Sequence, residues 1–146
     1  MPRRPADTAT FDLFEVPSPV APLDRSHDLD VPLREALNAA LKCASKDRGQ
    51  IAAEMSRLTG REISKYMLDA YTGDSRQDHN FPFRYAAAFE AATESHMLTQ
   101  LLAAQRGCKL LVGEEALEAE LGKIERTEQQ LRARKAALKA YLGRKR

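Results

Sequence analysis

Apolar residues recur every three or four positions along most of this 146-residue chain, the spacing that places them on one face of an α-helix. Asp30 suits a helix N-cap, and the first predicted helix begins there and buries Leu33, Leu37 and Leu41. Aromatic residues make up only 6% of the chain and tryptophan is absent, which leaves Ala, Leu and Ile to build the core. That composition favours helix over sheet. The fold is therefore predicted to be all-α.

Two short helices are predicted to follow, each opened by a capping box, in which an N-cap acceptor is followed three residues later by Glu or Gln. Asp47 with Gln50 opens the first, and Thr59 with Glu62 opens the second. They meet at Gly60, which supplies a permissive residue for a tight turn. This is the spacing of a helix-turn-helix, whose second helix enters the major groove of DNA.

The second helix of this pair is expected to anchor through Ile63 and Met67 and to expose its amino-terminal end. Arginine can read guanine with two hydrogen bonds, whereas lysine and serine suit phosphate or mixed contacts. Between Lys42 and Lys65 the net charge is +3, more than the +2 of the whole chain. The alternative is an ordinary pair of capped helices with polar outer faces. The predicted DNA-binding residues are Arg48, Arg61, Glu62, Ser64 and Lys65.

The segment IAAEMSRLTGREISKYMLDAYT resembles the helix-turn-helix of phage repressors and CII-type regulators, which carry an Ile-Ser-Lys or Ile-Ser-Arg triplet in the recognition helix. The block FPFRYAAAFEAATES resembles their supporting helices. From about Asp30 onward the chain is similar to small phage and prophage regulators of Mu-like transposable phages. The resemblance implies a sequence-specific transcriptional regulator that binds double-stranded DNA. The interval from Ile51 to Ile63 is one residue longer than usual, which predicts an expanded turn.

Composition divides the chain into three regions. Five of the seven prolines lie in residues 1–29. The first 30 residues carry a net charge of −3, and they hold too little apolar surface to offset the entropy of ordering. Residues 1–29 are therefore predicted to be a disordered acidic arm. Residues 30–112 are predicted to form the helix-turn-helix domain, and residues 113–146 a long amphipathic helix.

The arm carries an isolated apolar cluster, Phe11, Leu13 and Phe14, which should dock on protein because large apolar side chains are costly to leave in water. The pentapeptide TFDLF resembles the bacterial sliding-clamp-binding motif but lacks its leading Gln. Docking on the chain's own helices remains an alternative. The rival function is therefore a non-enzymatic adaptor or inhibitor that binds a host replication or regulatory protein, such as the sliding clamp, through this motif and the long helix.

The long helix is predicted to mediate self-association, because its apolar residues recur every seven positions. Glu128 and Lys135 interrupt this pattern, and a parallel pair would set like charges against each other. An antiparallel pair, a bundle or packing onto the chain's own body tolerates them better. The predicted self-association residues are Leu117, Leu121, Ile124, Leu131 and Leu138. We therefore expect a homo-oligomer with a coiled-coil-like helix.

The sequence offers no constellation typical of an enzyme. It contains no glycine-rich phosphate loop and no Gly-x-Ser-x-Gly. Its three histidines and two cysteines are not clustered at metal-ligand spacing, so neither a metal nor another cofactor is expected. No apolar run approaches the roughly 20 residues of a membrane span, and no apolar stretch follows the amino-terminal arginines as a signal peptide would require. We expect a cytoplasmic, non-enzymatic protein with no membrane partner.

Overall fold

A computed structural model describes residues 16–73 and 78–144, and these ranges contain helices and no β-strand. The predicted all-α fold, with its long carboxy-terminal helix, is therefore confirmed. The described residues up to Lys109 form one compact unit, and those from Leu110 form a second. The helices are α1 (Asp30–Cys43), α2 (Arg48–Thr59), α3 (Lys65–Thr72), α4 (Ala86–Thr93), α5 (Met97–Gln105) and α6 (Glu114–Arg144), with a 3₁₀ turn at Phe83–Tyr85.

The core of the first unit is built around Phe89 of α4, whose side chain is completely buried. Helix α2 lies against α4 and α3, and α1 lies against α5. The Phe81 ring meets the Phe89 ring edge-on at 5.6 Å and the Tyr71 ring at 5.5 Å. Helices this short are marginal by themselves in water, so burial in the common core holds them. The other large, fully buried side chains are Leu37, Ile51, Met55 and Leu68.

At the start of two helices, α1 and α5, the capping hydrogen bonds come from a side chain other than that of the N-cap residue. Asp30 is the first residue of α1 rather than its N-cap, which is Leu29. The backbone N–H of Asp30 donates instead to Asp28 Oδ1 at 3.2 Å. At the start of α5, the carboxylate of Glu90 in α4 accepts hydrogen bonds from Thr99 N at 2.8 Å and from Thr99 Oγ1 at 2.7 Å. A side chain of one helix therefore caps the next.

Within residues 16–29, Pro19 and Val20 are joined to the backbone at the end of α5, which corrects the predicted disorder for this part of the arm. The backbone N–H of Val20 donates to the carbonyl of Gln105 at 3.1 Å. An isolated antiparallel bridge joins Pro19 to Arg106. The composition argument considered only the surface that the segment could bury by itself. The segment instead bonds to backbone groups that lie more than 80 residues further along the chain.

Residues 1–15 lie outside the described residues. The predicted partner-binding cluster of Phe11, Leu13 and Phe14 therefore stays a prediction.

The second unit contains α6, a continuous helix of 31 residues. Its heptad leucines and isoleucine are exposed, from 51% at Ile124 to 72% at Leu117. Within the described ranges no helix is both long enough and apolar enough to span a membrane.

Candidate nucleic-acid interface

The predicted capping box at the start of α2 is confirmed. Asp47 Oδ1 accepts from the backbone N–H groups of Gly49 at 2.7 Å and Gln50 at 2.9 Å. In return, Gln50 Oε1 accepts from the backbone N–H of Asp47 at 3.0 Å. The amino-terminal end of the first helix of the pair is therefore held by its own sequence.

The second predicted capping box, Thr59 with Glu62, is wrong. Helix α2 continues to Thr59, and Gly60 ends it with a left-handed φ of 64°. Helix α3 does not begin until Lys65, and its N-cap is Ser64, whose Oγ accepts from the Met67 backbone N–H at 3.2 Å. The turn therefore spans residues 60–64, which agrees with the predicted expansion.

Ser56 of α2 holds this expanded turn in place. Its hydroxyl accepts from the backbone N–H of Ile63 at 2.9 Å, and its Oγ lies 3.0 Å from the Ile63 carbonyl and 2.9 Å from that of Ala52. Ile63 therefore belongs to the turn rather than to α3, and from there its side chain is buried in the core. The later start of α3 also changes which residues point inward, so Leu68 is buried and the predicted anchor Met67 is only half-buried.

Four of the five predicted DNA-binding residues are exposed and lie within five consecutive positions, namely Arg61, Glu62, Ser64 and Lys65. Arg61 and Glu62 belong to the turn rather than to α3, which corrects their predicted placement. Ser64 uses its hydroxyl as the N-cap, and Lys65 is the first residue of α3. Neither Arg61 nor Lys65 forms an ion pair with any residue of the described ranges. Both cations are therefore available to an anionic ligand.

Arg48, in contrast, has partners within the fold. Its Nη1 donates to Asp69 Oδ1 and to Thr72 Oγ1, each at 2.9 Å, and its Nη2 donates to Asn38 Oδ1 at 3.3 Å. This guanidinium joins α1, α2 and α3. The geometry supports a structural role for Arg48 rather than a contact with DNA.

We expect Arg48→Met to lower the free energy of unfolding by about 1–2 kcal/mol, because it removes three interhelical hydrogen bonds at a partly exposed site. Arg57→Met is the matched control, since within the described residues Arg57 pairs with Glu54 of its own helix, at 2.7 Å. That change should leave the free energy of unfolding nearly unchanged, because exposed ion pairs contribute little. Urea unfolding followed by circular dichroism measures both. Equal losses for the two variants would contradict the structural role of Arg48.

Much of the local positive charge is neutralised within the fold. Arg57 forms two hydrogen bonds with the carboxylate of Glu54. This contact lowers the pKa of Glu54 and raises the pKa of Arg57. Lys46 Nζ lies 3.5 Å from Glu94 Oε1. The Arg57–Glu54 pair already cancels within the net charge of +3 between Lys42 and Lys65, but Glu94 and Asp69 lie outside that segment and pair with Lys46 and Arg48. Arg61 and Lys65 therefore become the central candidates.

Sequence reasoning missed a third cation, Arg84 in the 3₁₀ turn. Arg61 and Arg84 line one open depression of about 520 Å³, whose wall is formed largely by alanines of α4. The Arg84 guanidinium lies over the Tyr85 ring, 4.9 Å from its centroid. The only signal in the sequence was a lone cation within the apolar block 81–89. Its neighbour Arg61 is 23 positions away, so only the packing of α4 against α2 brings the two together.

No family model, curated protein or solved structure matches this chain. The described residues also contain no group of three or more His, Cys, Asp or Glu side chains that could hold a metal ion.

Proposed function

We propose that this protein binds double-stranded DNA through α2, the turn at residues 60–64 and α3, and that it regulates transcription in a phage or prophage. The observation that carries the proposal is the pair Arg61 and Lys65. Both are exposed and lack an ion pair in the described ranges, and both stand on a turn and helix anchored by buried Ile63 and Leu68. A helix-turn-helix presents its second helix to DNA in this way.

The amino-terminal end of α3 is the part that suits DNA. The dipole of α3 favours an anion there, and Lys65 adds a full positive charge. Further along α3, Asp69 is bonded to Arg48, at 2.9 Å. The proposed contacts therefore concentrate in residues 61–65 rather than along the whole helix.

Arg84 extends the proposed contact surface to the 3₁₀ turn. An arginine binds a phosphate through a planar fork of N–H donors, and Arg61 and Arg84 face the same depression. Arg61, Lys65 and Arg84 are proposed to hold backbone phosphates. Glu62 repels phosphates, but a carboxylate can accept from the N4 amino group of cytosine. It is therefore the residue proposed to contribute sequence preference.

Titration of labelled duplexes with the full chain at several salt concentrations tests this function. The duplexes would be the DNA flanking the protein's own gene and a random sequence of equal length. We expect Arg61→Ala, Lys65→Ala and Arg84→Ala each to weaken binding to both duplexes and to reduce the slope of log affinity against log salt by about 1. Glu62→Gln should instead strengthen binding to the random duplex and lower the preference for the flanking one.

Arg34→Ala is the matched control, because Arg34 lies on α1 and does not line the Arg61–Arg84 depression. Its affinity and salt slope should equal those of the unchanged protein. If the triple alanine variant binds DNA as the unchanged protein does while remaining folded, the proposed interface is wrong.

The rival function, a host-binding adaptor or inhibitor, is favoured by the exposed apolar row of α6. An adaptor has no need of phosphate contacts. It therefore predicts that DNA binding by the full chain is absent, or that it does not depend on Arg61, Lys65 and Arg84.

A further inference from the structure

We propose that α6 pairs with α6 of a second copy of this chain in an antiparallel coiled coil. The inference goes beyond DNA binding and does not depend on it. It starts from two interleaved rows of residues on one face of the helix. The first row is Leu117, Ile124, Leu131 and Leu138, and the second is Leu121, Glu128, Lys135 and Leu142. Together the two rows are spaced alternately by four and three residues, as in a two-stranded coiled coil. We call these eight residues the seam.

One antiparallel register places a leucine opposite a leucine at both ends of the seam. When Leu117 faces Leu142 of the second copy, Leu121 faces Leu138, so both ends of the interface are layers of leucine. All four of these leucines are exposed, by 54% to 72%. The same register sets Ile124 against Lys135 and Glu128 against Leu131.

The two charged seam residues compensate each other in this register. Glu128 and Lys135 of the second copy occupy neighbouring layers, about 6 Å apart along the helix axis, within reach of the two long side chains. By symmetry the dimer contains this pair twice. In a parallel pair Glu128 meets Glu128 and Lys135 meets Lys135, and each layer buries two like charges.

The residues that flank the seam favour the same orientation. In the antiparallel register Glu118 lies beside Lys139 of the second copy, and Glu125 lies beside Arg132. The Arg132 side chain is 81% exposed and forms an ion pair with Glu128 of its own helix, at 3.5 Å, so its guanidinium can also reach across an interface. Charged pairs at these flanking positions set the orientation of coiled coils.

A parallel pair would place like charges beside each other at the same flanks. Glu120 would lie beside Glu125, and Arg134 beside Lys139.

The charges at the two ends of α6 also favour an antiparallel pair. Acidic residues crowd its first turns and basic residues its last, so an antiparallel pair brings opposite charges together at both ends and opposes the two helix dipoles. Charge complementarity therefore identifies the partner as a second copy in the reverse direction.

The antiparallel arrangement makes a measurable geometric prediction. The two copies of Ala116, an exposed residue on the outer side of the helix, would lie about 40 Å apart along the coiled coil. A parallel pair would place them less than about 20 Å apart, which is the separation of the two axes plus the outward offset of each residue. A spin label at Ala116→Cys in the full chain, with the exposed Cys43 and Cys108 changed to Ser, reports this distance by pulsed electron resonance. A distance below about 20 Å would overturn the orientation.

Charge reversal in the seam gives a second test. Lys135→Glu should weaken dimerisation by about tenfold or more, because it places two carboxylates in neighbouring layers of an antiparallel pair. Adding Glu128→Lys should restore the dimer dissociation constant to within about threefold of that of the unchanged protein, because the positive and negative charges have then exchanged places and still attract each other. Arg126→Glu is the matched control, since it makes the same charge change on the outer side of α6.

Sedimentation equilibrium of the full chain measures the dimer dissociation constant, and circular dichroism checks that each variant remains helical. In a parallel pair Lys135→Glu would merely replace one like-charge layer with another and leave the constant unchanged. That result would overturn the proposal. A monomeric unchanged protein at about 100 μM would also overturn it, and would indicate that another surface covers the row.

Discussion

Phe89→Ala is expected to lower the free energy of unfolding by about 3–5 kcal/mol, the usual cost of removing a fully buried phenylalanine. Phe89 is 0% exposed and lies at the centre of the first unit, where α4 meets α2. The edge-on contact with Phe81, at 5.6 Å, would be lost as well. Because a small domain has only about 5–15 kcal/mol of stability, this one change should remove a large share of it and clearly lower the denaturation midpoint.

Phe83→Ala is the matched control for this prediction. Phe83 is the same residue type only six positions away, but its side chain is 78% exposed. Its loss should change stability by no more than about 0.5 kcal/mol. Chemical denaturation of both variants decides the matter, and similar midpoints would show that the core is not organised around Phe89.

Gly107→Ala is expected to cost about 2–4 kcal/mol. Gly107 has a φ of +66°, which is strained for a residue with a Cβ. The added Cβ would also collide with the backbone of Ser18 and Pro19, where residues 16–29 run against the end of α5. A backbone collision cannot be relieved by rotating a side chain, so the segment would have to move away.

A shortened chain that begins at Leu23 separates these two causes. Without residues 18 and 19 the collision disappears, and Gly107→Ala should then cost only about 1–2 kcal/mol for the strained φ. The amide of Val20 should also exchange with solvent much faster in full-length Gly107→Ala, since its bond to Gln105 would be lost. Gly122→Ala is the control. That glycine lies in α6 with no atom near the added Cβ, so its change should stabilise the helix by about 1 kcal/mol. Unchanged protection of Val20 would mean that residues 16–29 do not depend on Gly107.

The turn between α2 and α3 spans residues 60–64, so Arg61 and Glu62 lie in the turn and not in the second helix of the pair. Gly60 can adopt a left-handed conformation and end α2, and this was visible in the sequence. The start of α3 was not, because Thr59 and Ser64 both have hydroxyls suited to an N-cap. Ser56 decides between them through its two bonds to Ile63. The hydroxyl of Thr59 bonds instead to the carbonyl of Met55 at 2.8 Å.

Local sequence determined the helices themselves. Apolar spacing located every helical segment, and the Asp47–Gln50 capping box marked the start of α2 because both partners lie within one turn of each other. The heptad spacing of α6 and its acid-to-base order are likewise properties of consecutive residues. These signals act over three to seven positions, the range in which the spacing of residues along a helix already specifies their contacts.

Tertiary structure decided which side chains remain available to a ligand. Arg48 begins α2 and Arg61 follows its carboxy-terminal end, yet of the two arginines Arg48 is the one that forms hydrogen bonds to side chains of α1 and α3 in the described residues. Arg84 joins the candidate site because α4 packs beside α2, and residues 16–29 are held by the end of α5. In each case the partner lies at least 10 positions away along the chain. Contacts over that distance are determined by how the helices pack around a common core, and no local pattern of residues encodes them.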